Sequence, residues 1–483
     1  MAGLGEGSDE AEIEDRAVPL VVDVDGTLAA GDLLVEGSLR LLVSSPLGFL
    51  KAVRRGLRGR AAFKRAVCQT GVLPHWAVVL NPEVLAEIVV AKESGRSVWL
   101  ASGADELIVE QLAKEVGADG FLASDGKTNL VGPAKAQALV ERFGDGGFDY
   151  VGNDRRDLPV WRHARDAVLV GTSARLQRKT RNLVRELRLV PAVGRPLDYV
   201  RALRPHQWVK NALVFVAPAA AHTIDPAPYL WAAGAFVVLS LVASSGYVLN
   251  DLVDIGHDRA HPTKLYRPLA SGSVRLLPMA GTALMLATVG IAAAFLVSPS
   301  MGACAVFYLL VATTYSLWLK RAIVIDVVAL ASLYVIRVVA GGVAAGIPVS
   351  AWLLAFSLFV FLALALVKRR TELANVAEGR QRAVLGRGYG VKDAGVVTML
   401  GSASAIGAVI VLALYLQSPD VAAAYERPEL LWLTCPVFLY WLSRLLLLAD
   451  RGTVDDDPVM FALRDRASWL TGLLVVAIGV TAI

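Results

Sequence analysis

Apolar positions follow two regimes along this chain. Up to about residue 175 they form short runs, among them Val18 to Val22 and the SVWLAS stretch ending at Ser102, and none is long enough to cross a bilayer. After about Asn211 nearly everything lies in apolar runs of roughly 15 to 24 residues separated by short loops. Nine spans are predicted, at about 211–224, 229–249, 276–297, 303–319, 322–343, 351–367, 394–416, 429–449 and 468–483. The first is short for a hydrocarbon core of ~30 Å, which points to a broken or tilted segment. Between the regimes, RLQRKTRNLVRELRLV sets six basic residues from Arg175 to Arg188 among Leu176, Leu183, Val184 and Leu187 at roughly helical spacing. Such a helix either lies against anionic headgroups or serves as a solvated linker. The expected division is a soluble domain over 1–175, a basic amphipathic linker over 176–200 and a membrane domain over 201–483.

Charge placement orients the membrane half. Threading the chain through nine spans collects nearly every Lys and Arg of this half into loops 250–275, 320–321, 368–393 and 450–467, whereas the opposite loops hold only Arg427. By the positive-inside rule the basic loops face the cytosol. The N-terminus, MAGLGEGSDEAEIEDR, is acidic and lacks a signal peptide's basic start and apolar stretch. The expected location is therefore the cytoplasmic (inner) membrane, multi-pass, with the N-terminal domain cytosolic. Composition agrees: 55% of the 483 residues are hydrophobic and 19% charged, which excludes disorder and disulfide scaffolds. The net charge of +5 is explained by topology, so nucleic acid is not needed as a partner. Cys68, Cys304 and Cys435 lack metal-ligand spacing and read as reduced structural thiols.

In VPLVVDVDGTL an apolar strand ends in Asp23 and Asp25, which share one face at its carboxyl edge, where open α/β sheets place ligands. Two adjacent carboxylates repel unless a cation neutralises them, and Mg²⁺ is the natural partner. This DxDGT resembles the first motif of the haloacid dehalogenase superfamily of phosphatases. Ser102 matches the family's second motif, Lys135 in GPAKAQALVERFG the third, and YVGNDRRDLPVW the acidic fourth. The resemblance implies a Rossmann-like α/β fold in which Asp23 is the nucleophile and Asp25 the acid and base. Ser102 and Lys135 hold the phosphoryl group, and Asp157 with Asn153 or Asp154 completes the Mg²⁺ site begun by Asp23. The family usually has Gly-Asp where this chain has Gly152-Asn153, which implies weaker Mg²⁺ binding. Helices over about 30–80, rich in Arg and Lys, stand where the family places a specificity cap. They are either a solvated face or a match for an anionic substrate.

In the membrane half the loop after the second run reads NDLVDIGHDRAHPTKLYRPLASG. Asn250, Asp251, Asp254 and Asp258 recur at spacings of three and four, so a continued helix aligns them on one face. Bound Mg²⁺ would relieve their repulsion and in turn bind a diphosphate. Arg259, Lys264 and Arg267 follow as phosphate-gripping cations. This pattern resembles the UbiA superfamily of intramembrane prenyltransferases, an all-α bundle of about nine transmembrane helices. LRPHQWVKN, HPTKLYRP, YSLWLKRAIVIDV and KRRTEL resemble its polyprenyl-phosphate (decaprenyl-phosphate) phosphoribosyltransferase branch. That resemblance implies phosphoribosyl diphosphate as donor, a polyprenyl phosphate lipid as acceptor, and Asp251, Asp254 and Asp258 with Asn250 on metal and donor. Lys210, Lys320, Arg337, Lys368 and Arg369 are candidates for the lipid phosphate or donor. Asp326 and Arg337 lie inside one predicted span, where ionisable groups are expensive and functional by default, but eleven residues of separation rule out pairing on one helix. Each needs another partner, and an interhelical ion pair is the structural alternative.

Fusing the two halves suggests that the soluble one removes the 5-phosphate left by the membrane one. Three other readings compete: an aromatic-acceptor prenyltransferase using polyprenyl diphosphate, a catalytically inactive N-terminal module, and a transporter with a phosphatase regulator. The charged motifs cluster on one side of the bilayer rather than at its midplane, which argues against transport. Oligomeric state, homo-oligomers included, stays open at this stage.

Overall fold

The computed structural model describes residues 18–482 apart from 72, 75–76, 222, 224, 378–387, 420, 422–424 and 455–456. The acidic N-terminal stretch and Arg380, Arg382 and Arg387 of the 368–393 loop lie outside the described residues. The chain divides into two compact units. One takes in the chain through Ala202 together with Asp251–Ala280, and the other comprises Leu203–Asn250 with Gly281–Ile483.

The first unit is built on a parallel six-stranded sheet of order β3-β2-β1-β4-β5-β6. Its strands are β1 Leu20–Val22, β2 Val98–Asp105, β3 Gly120–Ser124, β4 Asp149–Gly152, β5 Ala167–Val170 and β6 Leu187–Val190. Period-two alternation supplies both faces. Leu20, Val22, Val151 and Val168 pack with helices Pro82–Glu93 and Glu106–Val116 on one side. Val21, Tyr150, Ala167 and Leu169 join Leu139 of helix Pro133–Phe143 on the other. A sheet covered on both faces needs the near-continuous apolar strands seen here. Strand order reverses at β1, which pairs with β2 and β4, so the carboxyl end of β1 is a topological switch point. Helices Leu33–Ser44, Pro46–Gly56 and Arg60–Cys68 form an inserted cap with its own small core of Leu41, Ala52, Ala66 and Val67. The unit is a Rossmann-like α/β fold with an inserted helical cap.

The stretch expected as an amphipathic linker differs. Residues 174–181 are helical, but Leu187–Val190 pairs in parallel with β5, Ala167 opposite Leu187 and Val170 opposite Val190. Backbone pairing to an open sheet edge outweighs the helical spacing of its apolar residues.

Asp251–Ala280 packs within this same unit. Arg259 donates to both carboxylate oxygens of the buried Glu36, to the Ala77 carbonyl and to the Ala270 carbonyl.

The second unit is a helical bundle. Seven helices among the described residues are long and apolar enough to cross a membrane, or eight if Pro458–Arg464 and Arg466–Ala482, bent by 81°, form one broken span. Of the nine runs expected from sequence, the one near 211–224 is not a single long helix: residues 205–220 form a 3₁₀ helix followed by a five-residue α-helix that contains Pro218. Small residues permit close packing: a Cβ on Gly341 would lie 1.9 Å from the Val214 carbonyl oxygen.

Candidate functional site

The candidate site of the first unit sits at the carboxyl end of β1. Asp23 is buried, and its backbone N–H donates to the Val151 carbonyl across the β1–β4 pair. Its two oxygens are held separately: Lys135 Nζ donates to Oδ1 at 2.7 Å, and Thr27 Oγ1 to Oδ2 at 3.1 Å. Lys135 enters from the first turn of helix Pro133–Phe143 and also donates to the Tyr150 hydroxyl at 2.9 Å. Tyr150 donates in turn to Asp157 Oδ1 at 3.0 Å, while Asp157 Oδ2 accepts the amides of Asn153 and Asp154. Tyr150 escaped sequence reasoning. Its only signal was a polar-tipped ring inside the apolar strand that leads into the acidic motif.

Gly26 takes φ +73°, and a Cβ there would lie 2.3 Å from Asn153 Nδ2. This left-handed turn lets Asn153 donate to the Gly26 carbonyl at 2.7 Å, tying the fourth motif to the first. Asp154 points elsewhere. Its carboxylate accepts from the Arg155 amide and from Arg156 Nε, and its side chain is 45% exposed. Of the two residues left open by sequence, Asn153 bonds to the first motif and Asp154 to its neighbouring arginines. Ser102 is fully buried two residues past the Val22–Leu100 pair in β2.

Burial pushes the Asp23 carboxyl up to about 7 although Lys135 pulls it down, with Asp157 and Asp25 adding to the rise. Burial and the nearby Asp32 push Asp25 up to about 6, against the Leu33 amide that donates to it. Burial alone would lower Lys135, but Asp23 and Asp157 outweigh it and hold the ammonium above its ordinary value. One cation thus faces three buried or half-buried carboxyls, a charge deficit that a divalent ion fits. Asp23 and the Asn153 carboxamide oxygen are the donors at hand. Among the described residues no three His, Cys, Asp or Glu side chains gather as a metal cluster.

The aspartate stripe also forms. Asp251, Asp254 and Asp258 lie on the last turns of helix Pro226–Arg259, with Asn250 just before them. Asp251 and Asp258 are 2% and 4% exposed, and Arg267 Nη1 bridges them at 3.3 and 2.7 Å. Lys264 lies in the short turn Lys264–Tyr266. Arg259, expected among the donor ligands, is instead taken up by Glu36.

In the helical unit the remaining candidates separate into three groups. Lys210 pairs with Asp457, which also caps helix Pro458–Arg464. Arg337 is buried, donating to Asn211 Oδ1 at 2.8 Å and Tyr308 at 2.7 Å, and Asn211 donates to Ser240 at 3.0 Å. Asp326 accepts from Arg369 Nε at 2.6 Å and from Tyr389 at 2.8 Å. Each intramembrane charge thereby finds a partner on another element, as the eleven-residue separation requires. Lys320 is buried in the turn Leu319–Arg321, and Lys368 adjoins Arg369 on helix Ala351–Ala377. Asp457 was not foreseen, because 247 residues separate it from Lys210.

The UbiA prenyltransferase family model matches residues 211–469. The uncharacterized protein y4nM of Sinorhizobium fredii is 34% identical over 95% of this chain and 90% of that protein. The decaprenyl-phosphate phosphoribosyltransferase of Mycobacterium tuberculosis is 34% identical over 58% of this chain and 91% of that protein. A structure of phosphoserine phosphatase in apo form covers 35% of this chain and 92% of its own, at 16% identity and a TM-score of 0.26. With its buried aspartate stripe, apolar helices and a match over more than half its length, the chain is a multi-pass membrane transferase that belongs to the UbiA prenyltransferase family.

Proposed function

We propose that the chain transfers the 5-phosphoribosyl group of phosphoribosyl diphosphate to a polyprenyl phosphate, and that its N-terminal unit then removes the 5-phosphate. The observation that carries the reading is the pair of buried carboxylates, Asp251 and Asp258, clamped by Arg267 within the matched family segment. Its substrates follow from the likeness to the decaprenyl-phosphate phosphoribosyltransferase. Asp251, Asp254 and Asp258 do not by themselves gather as a three-ligand cluster, so Mg²⁺ at this stripe would need diphosphate oxygens as well, and it would supply the charge that binds the diphosphate and favours its departure.

Arg267, already held beside the stripe, offers its guanidinium to diphosphate oxygens. The bond from ribose C1 to the diphosphate oxygen breaks as one forms to an oxygen of the lipid phosphate. Lys210 and Lys368 provide positive charge for the incoming lipid phosphate.

In the N-terminal unit Asp23 attacks the 5-phosphate, with Lys135 and Ser102 holding phosphoryl oxygens. Asp25, with a carboxyl near 6, can give a proton to the leaving ribose oxygen and later take one from water near neutral pH. Linking both activities on one chain raises the effective phosphatase concentration toward the ~mM range and draws a reversible transfer forward. Basic loops on one side of the bilayer support a cytosolic N-terminal unit.

Membranes supplied with radiolabelled phosphoribosyl diphosphate and polyprenyl phosphate test this. Wild type should yield a polyprenyl-phosphoryl ribose, Asp251→Asn no labelled lipid, and Asp23→Asn the 5-phosphorylated lipid. Identical products from wild type and Asp23→Asn would refute the coupling. Full labelling by Asp251→Asn would refute the transferase site.

A further inference from the structure

Beside the phosphatase-like centre the first unit encloses a cavity of about 320 Å³ between the cap and the sheet. Its walls are mostly apolar: Leu33 and Leu34 from the first cap helix, Val67 from the third, Leu73 from the following loop, and Leu107 and Ile108 from the helix after β2. Its polar wall side chains, Lys64, Asp105 and Gln111, already have partners of their own, so the lining suits hydrocarbon better than sugar hydroxyls that need new ones. The volume sits at the small end of the roughly 300–1,000 Å³ of ligand sites, enough for a short segment rather than a whole lipid.

Hydrogen bonds link two residues of the cavity wall to the reacting groups or their neighbours. The amide of Leu33 donates to Asp25 Oδ1 at 3.0 Å. Lys64, also in the wall, donates to Asn129 Oδ1 at 2.7 Å and to the carbonyl of Gly103, the residue after Ser102. These two bonds use two of the three N–H groups on its ammonium. The cavity wall therefore carries a cation bonded next to Ser102. Asp105, the other charged wall residue, is neutralised by Arg65 at 2.7 Å.

We propose that the cavity receives the first isoprene carbons of a polyprenyl-phosphoryl 5-phosphoribose whose 5-phosphate lies at Asp23, with Lys64 facing the phosphodiester that joins ribose to lipid. The inference rests on the phosphatase reading above and narrows it: the substrate is the lipid-linked sugar phosphate, recognised by its hydrocarbon as well as its phosphates. Hydrolysis of the 5-phosphate is unchanged in its chemistry, with water supplying the oxygen and inorganic phosphate leaving.

Two water-soluble diesters separate the inference from the reading. One is a 3-methylbut-2-enyl-phosphoryl 5-phosphoribose and the other its methyl counterpart, which keep both phosphates and the ribose and differ by four carbons. Phosphate release is followed with the full-length protein in detergent, with Asp23→Asn as the blank. At about fourfold per buried methylene-sized group, the prenyl compound should be preferred on the order of 10²-fold in kcat/KM. Leu107→Asp, at a residue 37% exposed and so tolerant of a polar side chain, should collapse that preference by placing a carboxylate in the wall. Lys64→Met should weaken both diesters relative to ribose 5-phosphate. Asp23-dependent release from both diesters at equal kcat/KM would overturn the inference while leaving the phosphatase intact. No Asp23-dependent release from either would overturn the phosphatase reading and the inference with it.

Discussion

Arg259 offers a sharp test, since sequence pattern assigns it to the donor and the structure assigns it to packing. Its side chain is 12% exposed and that of Glu36 is 4%, and two donor nitrogens meet the two carboxylate oxygens. Replacing Arg259 with Met removes the bidentate partner and leaves the Ala77 and Ala270 carbonyls short of a donor. Breaking a buried pair in this way costs about 3–5 kcal/mol. Arg40, 2.9 Å from Glu36, retains part of the compensation, so the lower figure applies. For a unit of this size each kcal/mol moves the melting point ~2–4 °C, so the first transition of the detergent-solubilised protein should fall by ~6–12 °C. Adding Glu36→Met removes the orphaned carboxylate but takes away the partner of Arg40, so the double variant should recover only part of the loss. The KM for phosphoribosyl diphosphate, measured well below the transition, should change little. A severalfold rise in that KM with melting unchanged would refute the structural role.

Three further outcomes follow from the same geometry. Tyr150→Phe removes a hydrogen bond to the Asp157 carboxylate, worth about 1.5–3 kcal/mol, and should slow 5-phosphate release about 10- to 10²-fold while leaving lipid labelling intact in the radiolabel assay. Gly26→Ala meets both a positive φ and the Asn153 side chain, so phosphatase activity should fall at least as far as in Asn153→Ala when the two variants are compared. Burial opposes ionisation of Asp149, but Arg165 and Arg96 outweigh it and hold its carboxyl below the ordinary value of 3.8. A lowered carboxyl stabilises fully above its unfolded value and loses that contribution as pH falls through the folded one. The melting gap between wild type and Asp149→Asn should therefore be constant near neutrality and narrow below about pH 4.

The features legible in the sequence are those carried by local pattern. VPLVVDVDGTL declares a buried strand with two carboxylates at its end, and spacings of three and four put Asp251, Asp254 and Asp258 on one helix face, as found. Hydropathy located the long spans but not the break in the run near 211–224, which is apolar without being one helix. What stayed hidden depends on distant pairing. Nothing near Lys210 announces Asp457, nothing near Glu36 announces Arg259, and the bridging of Asp251 and Asp258 by Arg267 needs the chain to turn back after the helix. The segment around Leu187 misled for another reason. Alternating Arg and Leu suit an exposed helix face and an edge strand alike, and the neighbouring β5 settles the choice.

That edge strand matters to anyone who would cut the protein in two. A fragment ending at residue 175 would strip β6 from the sheet and leave the ladder of Ala167–Val170, all buried apolar residues, open to pairing with other copies. It should precipitate or oligomerise. Extending the fragment past Val190 keeps that border paired with β6, whose Arg188 is ion-paired to Glu87 of the helix Pro82–Glu93.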